Sequence, residues 1–354
     1  MFPGGVSDDP PPSSDESIRA SVVIVNYNDR EFISDCLAAV LDQDMPSDEY
    51  EVVFADNGSE DGSADLVESA FPSVTLVRLD RNYLFSGGNN RAMEHVQGKY
   101  VVFLNVDTVV HRRWLPELVR AAEEDPEVRA CQGNMLMPWV DEFAVLDREG
   151  GTQSTYFNDL CAFGFTVYHR VPFTPEPIRT LFLTGSSLLL ERDLVEEMGY
   201  LFEAEFYACE DLDLSLRVNN LGYKTITVPT AIYYHKHPLS TKLSLNRSTL
   251  WKLSNLHVSR FIAYFKNMTG LEFLCFSPFM ILGAPLKARK GHWGRTRVLA
   301  YSLGSLPLIL FSFARALTAF PRYAPRRRDI LRTRKRPAFW LFRRLINRTR
   351  LSGV

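Results

Sequence analysis

Between Lys99 and Asp107 the chain reads KYVVFLNVD, an unbroken apolar run that stops at a carboxylate flanked by Asn105 and Thr108. A run of this kind is a strand buried on both faces, the condition of a strand inside a parallel sheet covered by helices. The pattern recurs at 21–28 (SVVIVNYN), 50–59 (YEVVFADNGS) and 74–82 (VTLVRLDRN). Helical patterns at 31–41, 61–71, 88–96 and 114–124 separate these runs, and a further strand follows near 130–137. Alternation at this spacing predicts an α/β fold with a mostly parallel central sheet and helices on both faces. Ligands of such sheets sit beyond the carboxyl ends of the strands. The polar residues Asn26, Asn28, Asp56, Asn57, Asn82, Asn105 and Asp107 all fall there.

With 354 residues, 46% of them apolar, the chain fills one large α/β domain and an appendage. Its five cysteines (36, 131, 161, 209 and 275) are odd in number and contain no CxxC pair. That excludes a disulfide scaffold and a zinc ribbon, and suits a reducing compartment. The net charge of −2 hides an asymmetry: residues 287–354 carry 3 Lys and 15 Arg against Asp329, a net +17, leaving −19 on the rest. An acidic body with a basic tail argues against a nucleic-acid partner and for an anionic membrane surface.

Three regions follow. Residues 1–19, rich in Pro, Ser and Asp and without an apolar core, read as a disordered leader. Residues 20–240 hold the α/β domain, and 241–354 form a helical, basic, membrane-associated region. The uncharged stretches 273–286 and 298–314 fall short of the ~20 residues that span a bilayer comfortably. A hairpin of the two would also send the loop KARKGHWGRTR (287–297) to the outer face, against the positive-inside tendency. Helices lying in the cytoplasmic leaflet, held by apolar faces and by Arg326, Arg327, Arg328, Arg332, Arg334 and Lys335, are the expectation. Residues 138–180, with Gly150-Gly151 and several prolines, are expected to be an irregular excursion over the site.

Several motifs carry chemistry. Asp56, in VVFADNGSEDGS, stands at a strand end, where an acid either caps the following helix or accepts hydrogen bonds from a base edge or ribose. FSGGNN (85–90) is a glycine-rich turn into a helix, whose amides at Gly87, Gly88 and Asn89 suit a diphosphate. It is neither GxGxxG nor a Walker sequence, which removes the dehydrogenase and P-loop fingerprints. Asp107 either closes its strand as an Asx turn or, with the Asn105 amide, belongs to an oxygen-rich Mg²⁺ or Mn²⁺ site completed by a substrate diphosphate. In EDLDLSLR (210–217) the acids favour a helix start, Asp213 pairs with Arg217 in a structural role, and the three carboxylates of Glu210, Asp211 and Asp213 raise one another's pKa, as a general base requires. His235 closes the late strand TITVPTAIYYH.

In order, SVVIVNYN, VVFADNGSEDGS, NYLFSGGNNRAM, VVFLNVDT, FLTGSSLLLERD, FYACEDLDLSLRVNNLGYKT and YYHKH resemble the family 2 inverting glycosyltransferases, and most of all their rhamnosyltransferase-like branch. The resemblance covers 21–237 and implies the GT-A nucleotide-diphospho-sugar transferase fold. It implies that Asp56, with Asn26 and Asn28, contacts the nucleotide base, and that the Gly87, Gly88, Asn89 turn lies near ribose and phosphates. It further implies that Asp107 is the final acid of a DxD metal motif, His235 a late metal ligand, and Asp211, with Glu210, the catalytic base. Asn105 departs from the motif, since the first Asp often stands there. The implied donor is a nucleotide-diphospho-sugar, dTDP-rhamnose-like or UDP-linked, while recruitment to the membrane by the basic C-terminal region points to a glycan or polyprenyl-linked glycan acceptor at the cytoplasmic face of the membrane. Two rivals share the scaffold: a non-catalytic nucleotide-sugar or lipid-binding protein, favoured by the neutral Asn105, and a nucleotidyltransferase, disfavoured because Asn26-Tyr27-Asn28-Asp29 replaces a glycine-rich basic loop.

Overall fold

A computed structural model of the chain describes residues 18–136, 153–161, 163–236, 247–287 and 295–351. Most of the expected leader, the first part of the excursion, most of the basic loop after 287, and His237 lie outside the described residues.

The strands are β1 (Ala20–Asn26), β2 (Tyr50–Asp56), β3 (Thr75–Arg78), β4 (Tyr100–Asn105), β5 (Thr108–Val110), β6 (Val128–Leu136), β7 (Ser154–Leu160), β8 (Thr166–Pro172), β9 (Ile178–Thr180), β10 (Ser187–Glu191) and β11 (Lys224–His235). The helices of the sheet domain are α1 (Arg30–Leu41), α2 (Ser63–Ala70), α3 (Leu84–Ala92), α4 (Trp114–Glu124), α5 (Asp193–Met198) and α6 (Glu210–Asn220). Strand order is β3-β2-β1-β4-β10-β6-β11-β5, with β9 added on β11.

Period-two alternation divides the strands between two cores, as a sheet covered on both faces requires. Val22, Ile24, Val52, Phe54, Val102 and Leu104 face α1 and α4, packing against Ile33, Leu37, Leu115 and Leu118. Their neighbours Val23, Val53, Val101 and Phe103 face the other way, onto Ala92 of α3, Leu194 of α5, and Leu214 and Val218 of α6. Helices on both faces are therefore observed.

The expected parallel character holds for only half of the sheet. β1–β2, β1–β4, β2–β3 and β6–β11 are parallel. β4–β10, β10–β6, β11–β5 and β11–β9 are antiparallel. β10 inserts between β4 and β6 from the opposite end, because it follows a long excursion instead of a short helical crossover. The excursion is itself more regular than its prolines suggest. β7 and β8 pair as an antiparallel hairpin in register from Ser154↔Pro172 to Leu160↔Thr166. The successive Thr155, Tyr156 and Phe157 of STYFNDL favour a strand, and Tyr168 anchors the hairpin by donating its hydroxyl to the Met135 carbonyl at 2.8 Å.

The C-terminal helices α7 (Arg247–Asn267), α8 (Gly270–Lys287), α9 (Arg295–Thr333) and α10 (Trp340–Leu351) pack onto α6. Leu212 and Leu216 of α6 share a third core with Phe261, Tyr264, Phe276, Phe320 and Leu345. A buried ionic knot ties α6 to α7. Lys266 Nζ lies 2.9 Å from Glu203 and 3.0 Å from Asp213, which also accepts from Arg217, Tyr200 and Asn267. Asp213 is thus structural, paired with Arg217 as its i,i+4 spacing predicts. In α8 the outward residues are Leu271, Leu274, Cys275, Pro278, Phe279 and Leu282, an apolar face at helical spacing. α9 exposes Leu310, Phe311, Ala314 and Leu317, then Arg322, Arg326, Arg328 and Arg332. No helix among the described residues is long and apolar enough to cross a membrane.

Candidate functional site

Pairing of short strands builds the first part of the site. β4 ends at Asn105, Val106 and Asp107 turn the chain, and β5 pairs antiparallel with the end of β11, setting His235 opposite Thr108. That register brings Asp107 and His235, 128 residues apart, together: Nε2 lies 3.2 Å from Asp107 Oδ1 and 3.4 Å from the Asn105 amide nitrogen. Thr108 holds the turn by donating to the Asn105 carbonyl at 2.6 Å.

The arrangement fits a divalent cation. Adjacent ligands of an octahedral ion at about 2.1 Å lie about 3 Å apart, the separation of these two donor atoms. His235 Nδ1 is buried with no hydrogen-bond partner, leaving Nε2 as the nitrogen that faces Asp107. Among the described residues no group of three His, Cys, Asp or Glu side chains is placed to hold a metal. A cation there would draw its remaining ligands from substrate and water.

The second part is the start of α6. Its N-cap, Cys209, takes a left-handed φ of 68°, an uncommon conformation for a residue with a side chain, and it presents Glu210 and Asp211 in the first turn. Asp211 accepts from the Leu212 N–H at 2.8 Å and from the Gly185 N–H at 3.5 Å. Burial pushes both carboxyls above their ordinary range, and the charge of Asp211 pushes Glu210 further. The upward direction agrees with the expectation from sequence, but desolvation contributes more than the neighbouring acid. Asp213 does not join them: despite its burial, Lys266 and Arg217 hold it below the usual carboxylate range.

Asn105, His235, Glu210 and Asp211 line one cleft of about 560 Å³. Its walls include Phe85 of α3, Thr184, Gly185 and Ser186 ahead of β10, Asn158 of β7, Phe165 beside β8, and Leu256 and Arg260 of α7. A Cβ on Gly185 would stand 3.1 Å from the Phe85 ring, so a side chain there would have to displace that ring.

The remaining predicted residues form a neighbouring cluster at the ends of β1 and β2. Asn26 and Asp56 are register partners, and the Asn26 amide donates to Asp56 at 3.2 Å. The second Asp56 oxygen accepts from the Ser59 N–H at 3.0 Å, so the buried Asp56 carboxylate serves as an Asx turn. Asn26 Oδ1 is a buried acceptor without a partner. Asn28 is exposed, with a left-handed φ of 55°, and accepts from the Glu60 N–H at 2.8 Å. The glycines do not form the expected turn. Gly87, Gly88 and Asn89 lie inside α3, buried, with their amides committed to the helix ladder. A Cβ on Gly88 would stand 2.7 Å from Val25 Cγ1, so this glycine lets α3 approach β1. Asn89 donates to the Phe85 carbonyl at 2.9 Å.

Residues of the cleft that sequence reasoning passed over are Thr184, Gly185, Cys209, Phe165 and Arg260. For Arg260 a signal existed: it sits between Leu256 and Tyr264 at i,i+4 spacing, a charge on the apolar face of a helix.

The sequence model described as Glycosyl transferase family 2 matches residues 21–199, half of the chain. The putative teichuronic acid biosynthesis glycosyltransferase TuaG of Bacillus subtilis (strain 168) is 32% identical over 114 residues, 31% of this chain and 43% of its own length. The O-antigen biosynthesis protein RfbC of Myxococcus xanthus is 29% identical over 236 residues, 60% of this chain and 17% of its own length. The chain thus spans less than half of either relative. Among solved structures, that of GalNAc-T7 with UDP, GalNAc and Mn2+ superposes with a TM-score of 0.58 at 15% identity, over 86% of this chain and 58% of that one. The fold is shared with that GT-A enzyme.

Proposed function

This chain belongs to glycosyl transferase family 2, and on that premise we propose that its cleft transfers a sugar with inversion from a nucleotide-diphospho-sugar, dTDP-rhamnose-like or UDP-linked, to a hydroxyl of a glycan or lipid-linked glycan. The observation that carries the reading is the meeting in one cleft of His235, bonded to Asp107, with the Glu210–Asp211 pair of raised pKa.

Asp211 accepts the proton of the acceptor hydroxyl, whose oxygen bonds to the anomeric carbon as the bond to the diphosphate oxygen breaks and the electron pair leaves with the nucleoside diphosphate. A carboxylate shifted upward is the stronger base, and such a group contributes ~10²–10⁴ in rate. The Gly185 and Leu212 N–H groups orient it. Asp107 and His235, with Asn105 beside them, would hold Mg²⁺ or Mn²⁺, and that ion when bound neutralises charge on the departing diphosphate. Asn26 and Asp56 belong to the nucleotide end, where Asn26 Oδ1 is a buried acceptor without a partner.

The apolar outer faces of α8 and α9, continued by arginines, support docking on the cytoplasmic leaflet of the membrane without crossing it. An acceptor carried on a polyprenyl lipid is then within reach.

The test is a pair of variants assayed with a panel of UDP-, GDP- and dTDP-sugars. Asp211→Asn should keep nucleotide-sugar binding and lose about 10²–10⁴ in kcat. Asp107→Ala should lose the Mn²⁺-dependent part of nucleotide binding. Near-normal turnover in the first, or unchanged Mn²⁺-dependent affinity in the second, removes the residue from its role.

A further inference from the structure

Arg260 of α7 lines the cleft beside Glu210 and Asp211, and its residue is only 2% exposed. Buried guanidinium groups are ordinarily paired, because an unpaired buried charge costs several kcal/mol. This one has no carboxylate partner among the described residues. Its single hydrogen bond runs from one terminal nitrogen to the Met280 carbonyl at 3.4 Å, while Nε and the other terminal nitrogen are buried without a partner. Around it stand rings: it stacks 3.7 Å over Phe165 and lies 5.2 Å from Phe261. The other groups that act on its charge, Cys209, Tyr264 and Cys161, are neutral thiols and a phenol, and burial pushes the guanidinium down to about 10. The Tyr264 hydroxyl is also buried and unpartnered.

Other buried cations of this region have their anions. Lys266 holds Glu203 and Asp213, Arg217 holds Asp213, and Arg334 holds Glu272. Arg260 is the exception among them, and it is the one that borders the cleft.

We infer that Arg260 receives an anionic oxygen group of the acceptor, a phosphate or a carboxylate close to the hydroxyl that is glycosylated. The inference rests on the glycosyl-transfer reading of this cleft and adds the charge of the acceptor to it. The acceptor is favoured over the donor by position. Cys209, which feels the Arg260 charge and bonds to the Leu256 carbonyl one turn before it, is the N-cap that presents Glu210 and Asp211. The donor diphosphate belongs instead to Asp107 and His235, at the ends of β4 and β11. An oxyanion at Arg260 gains charge-assisted bonds from its two free nitrogens in a site lined by aromatic rings, where water competes poorly.

The experiment uses the full chain without divalent metal, and follows thermal unfolding and titration calorimetry with sodium phosphate, sodium glucuronate and neutral glucose, each against sodium chloride at matched ionic strength. Phosphate or glucuronate should bind saturably and glucose should not; whichever anion binds distinguishes a phosphorylated from a uronate acceptor. In Arg260→Met the affinity should fall about ten- to a hundredfold. That variant, having lost an uncompensated buried charge, should melt no lower than the parent when no anion is added. Stabilisation by UDP or dTDP with Mn²⁺ should survive in it. The inference is overturned if neither anion binds the parent saturably, if Arg260→Met binds equally well, if it melts well below the parent, or if it loses the nucleotide response. The nucleotide arm and the Asp211→Asn assay report separately on the transferase reading, so failure of one is not mistaken for failure of the other.

Discussion

Replacing Lys266 by Met should destabilise the protein by about 3–5 kcal/mol at neutral pH, the cost of breaking a buried ion pair from one side. Lys266 is fully buried and is held by two carboxylates at 2.9 and 3.0 Å. Asp213 would keep Arg217 at 3.1 Å, Tyr200 at 3.0 Å and Asn267 at 2.9 Å. Glu203, 4% exposed, would keep only the half-exposed Arg326 at 3.4 Å, so the cost falls mainly there. The part of the penalty due to the stranded charge has a ceiling. A stranded glutamate with an ordinary pKa of about 4.3 escapes by binding a proton, which costs about 3.7 kcal/mol at pH 7 and about 1 kcal/mol at pH 5. An unpaired buried carboxylate favours its protonated form, so the variant's deficit relative to the parent shrinks as pH falls. Urea unfolding followed by far-UV circular dichroism at pH 7 and pH 5 measures both quantities. Lys266→Met/Glu203→Gln should recover about 2 kcal/mol or more of the loss at pH 7. A deficit below about 1 kcal/mol that does not change with pH would refute the view that this knot holds α7, and with it the Arg260 wall of the cleft, onto α6.

Gly88→Ala should lose about 1–3 kcal/mol through overpacking against Val25, despite the gain in helix propensity, and Val25→Ala should relieve part of that loss in the double variant by chemical denaturation. The pH–rate profile of kcat should fall on its acid side above the ordinary carboxylate range of about 4, because the raised Asp211 and Glu210 take up a proton there; a limb at about 4 would contradict the assignment. Full-length protein should cosediment with vesicles containing anionic lipid, and Leu274→Asp/Phe311→Asp should weaken that binding without lowering nucleotide affinity; equal sedimentation of parent and variant would remove the outer face of α8 and α9 from membrane docking.

Much of the α/β framework was legible because burial on both faces leaves a local trace. The runs at 21–28, 50–59 and 99–107 are apolar at successive positions, and β1, β2 and β4 divide those side chains between two cores. Trp114–Glu124 forms a helix with the predicted bounds, and Glu210–Asn220 a helix that starts at the predicted acids, since apolar spacing and end charges are local information as well. The polar strand ends share one edge for the same reason: Asn26 pairs in register with Asp56, and Asn105 with Val25.

What the chain's order of residues could not express is the direction and partnership of segments far apart. β10 runs antiparallel between β4 and β6, a matter of which end of the sheet the excursion returns to. Gly87 and Gly88 read as a turn because glycine pairs usually mark one, yet both lie within α3: the close approach of α3 to Val25 needs Gly88, and a Cβ on Gly87 would stand 2.8 Å from the Tyr83 Cβ. Sequence determined which residue types stand where strands end, and so where acids and a histidine are available for chemistry. Tertiary structure alone decided that β5 and β11 bring Asp107 to His235, and that Arg260 faces the cleft without a carboxylate, because long-range pairing and burial assign each charge its partner.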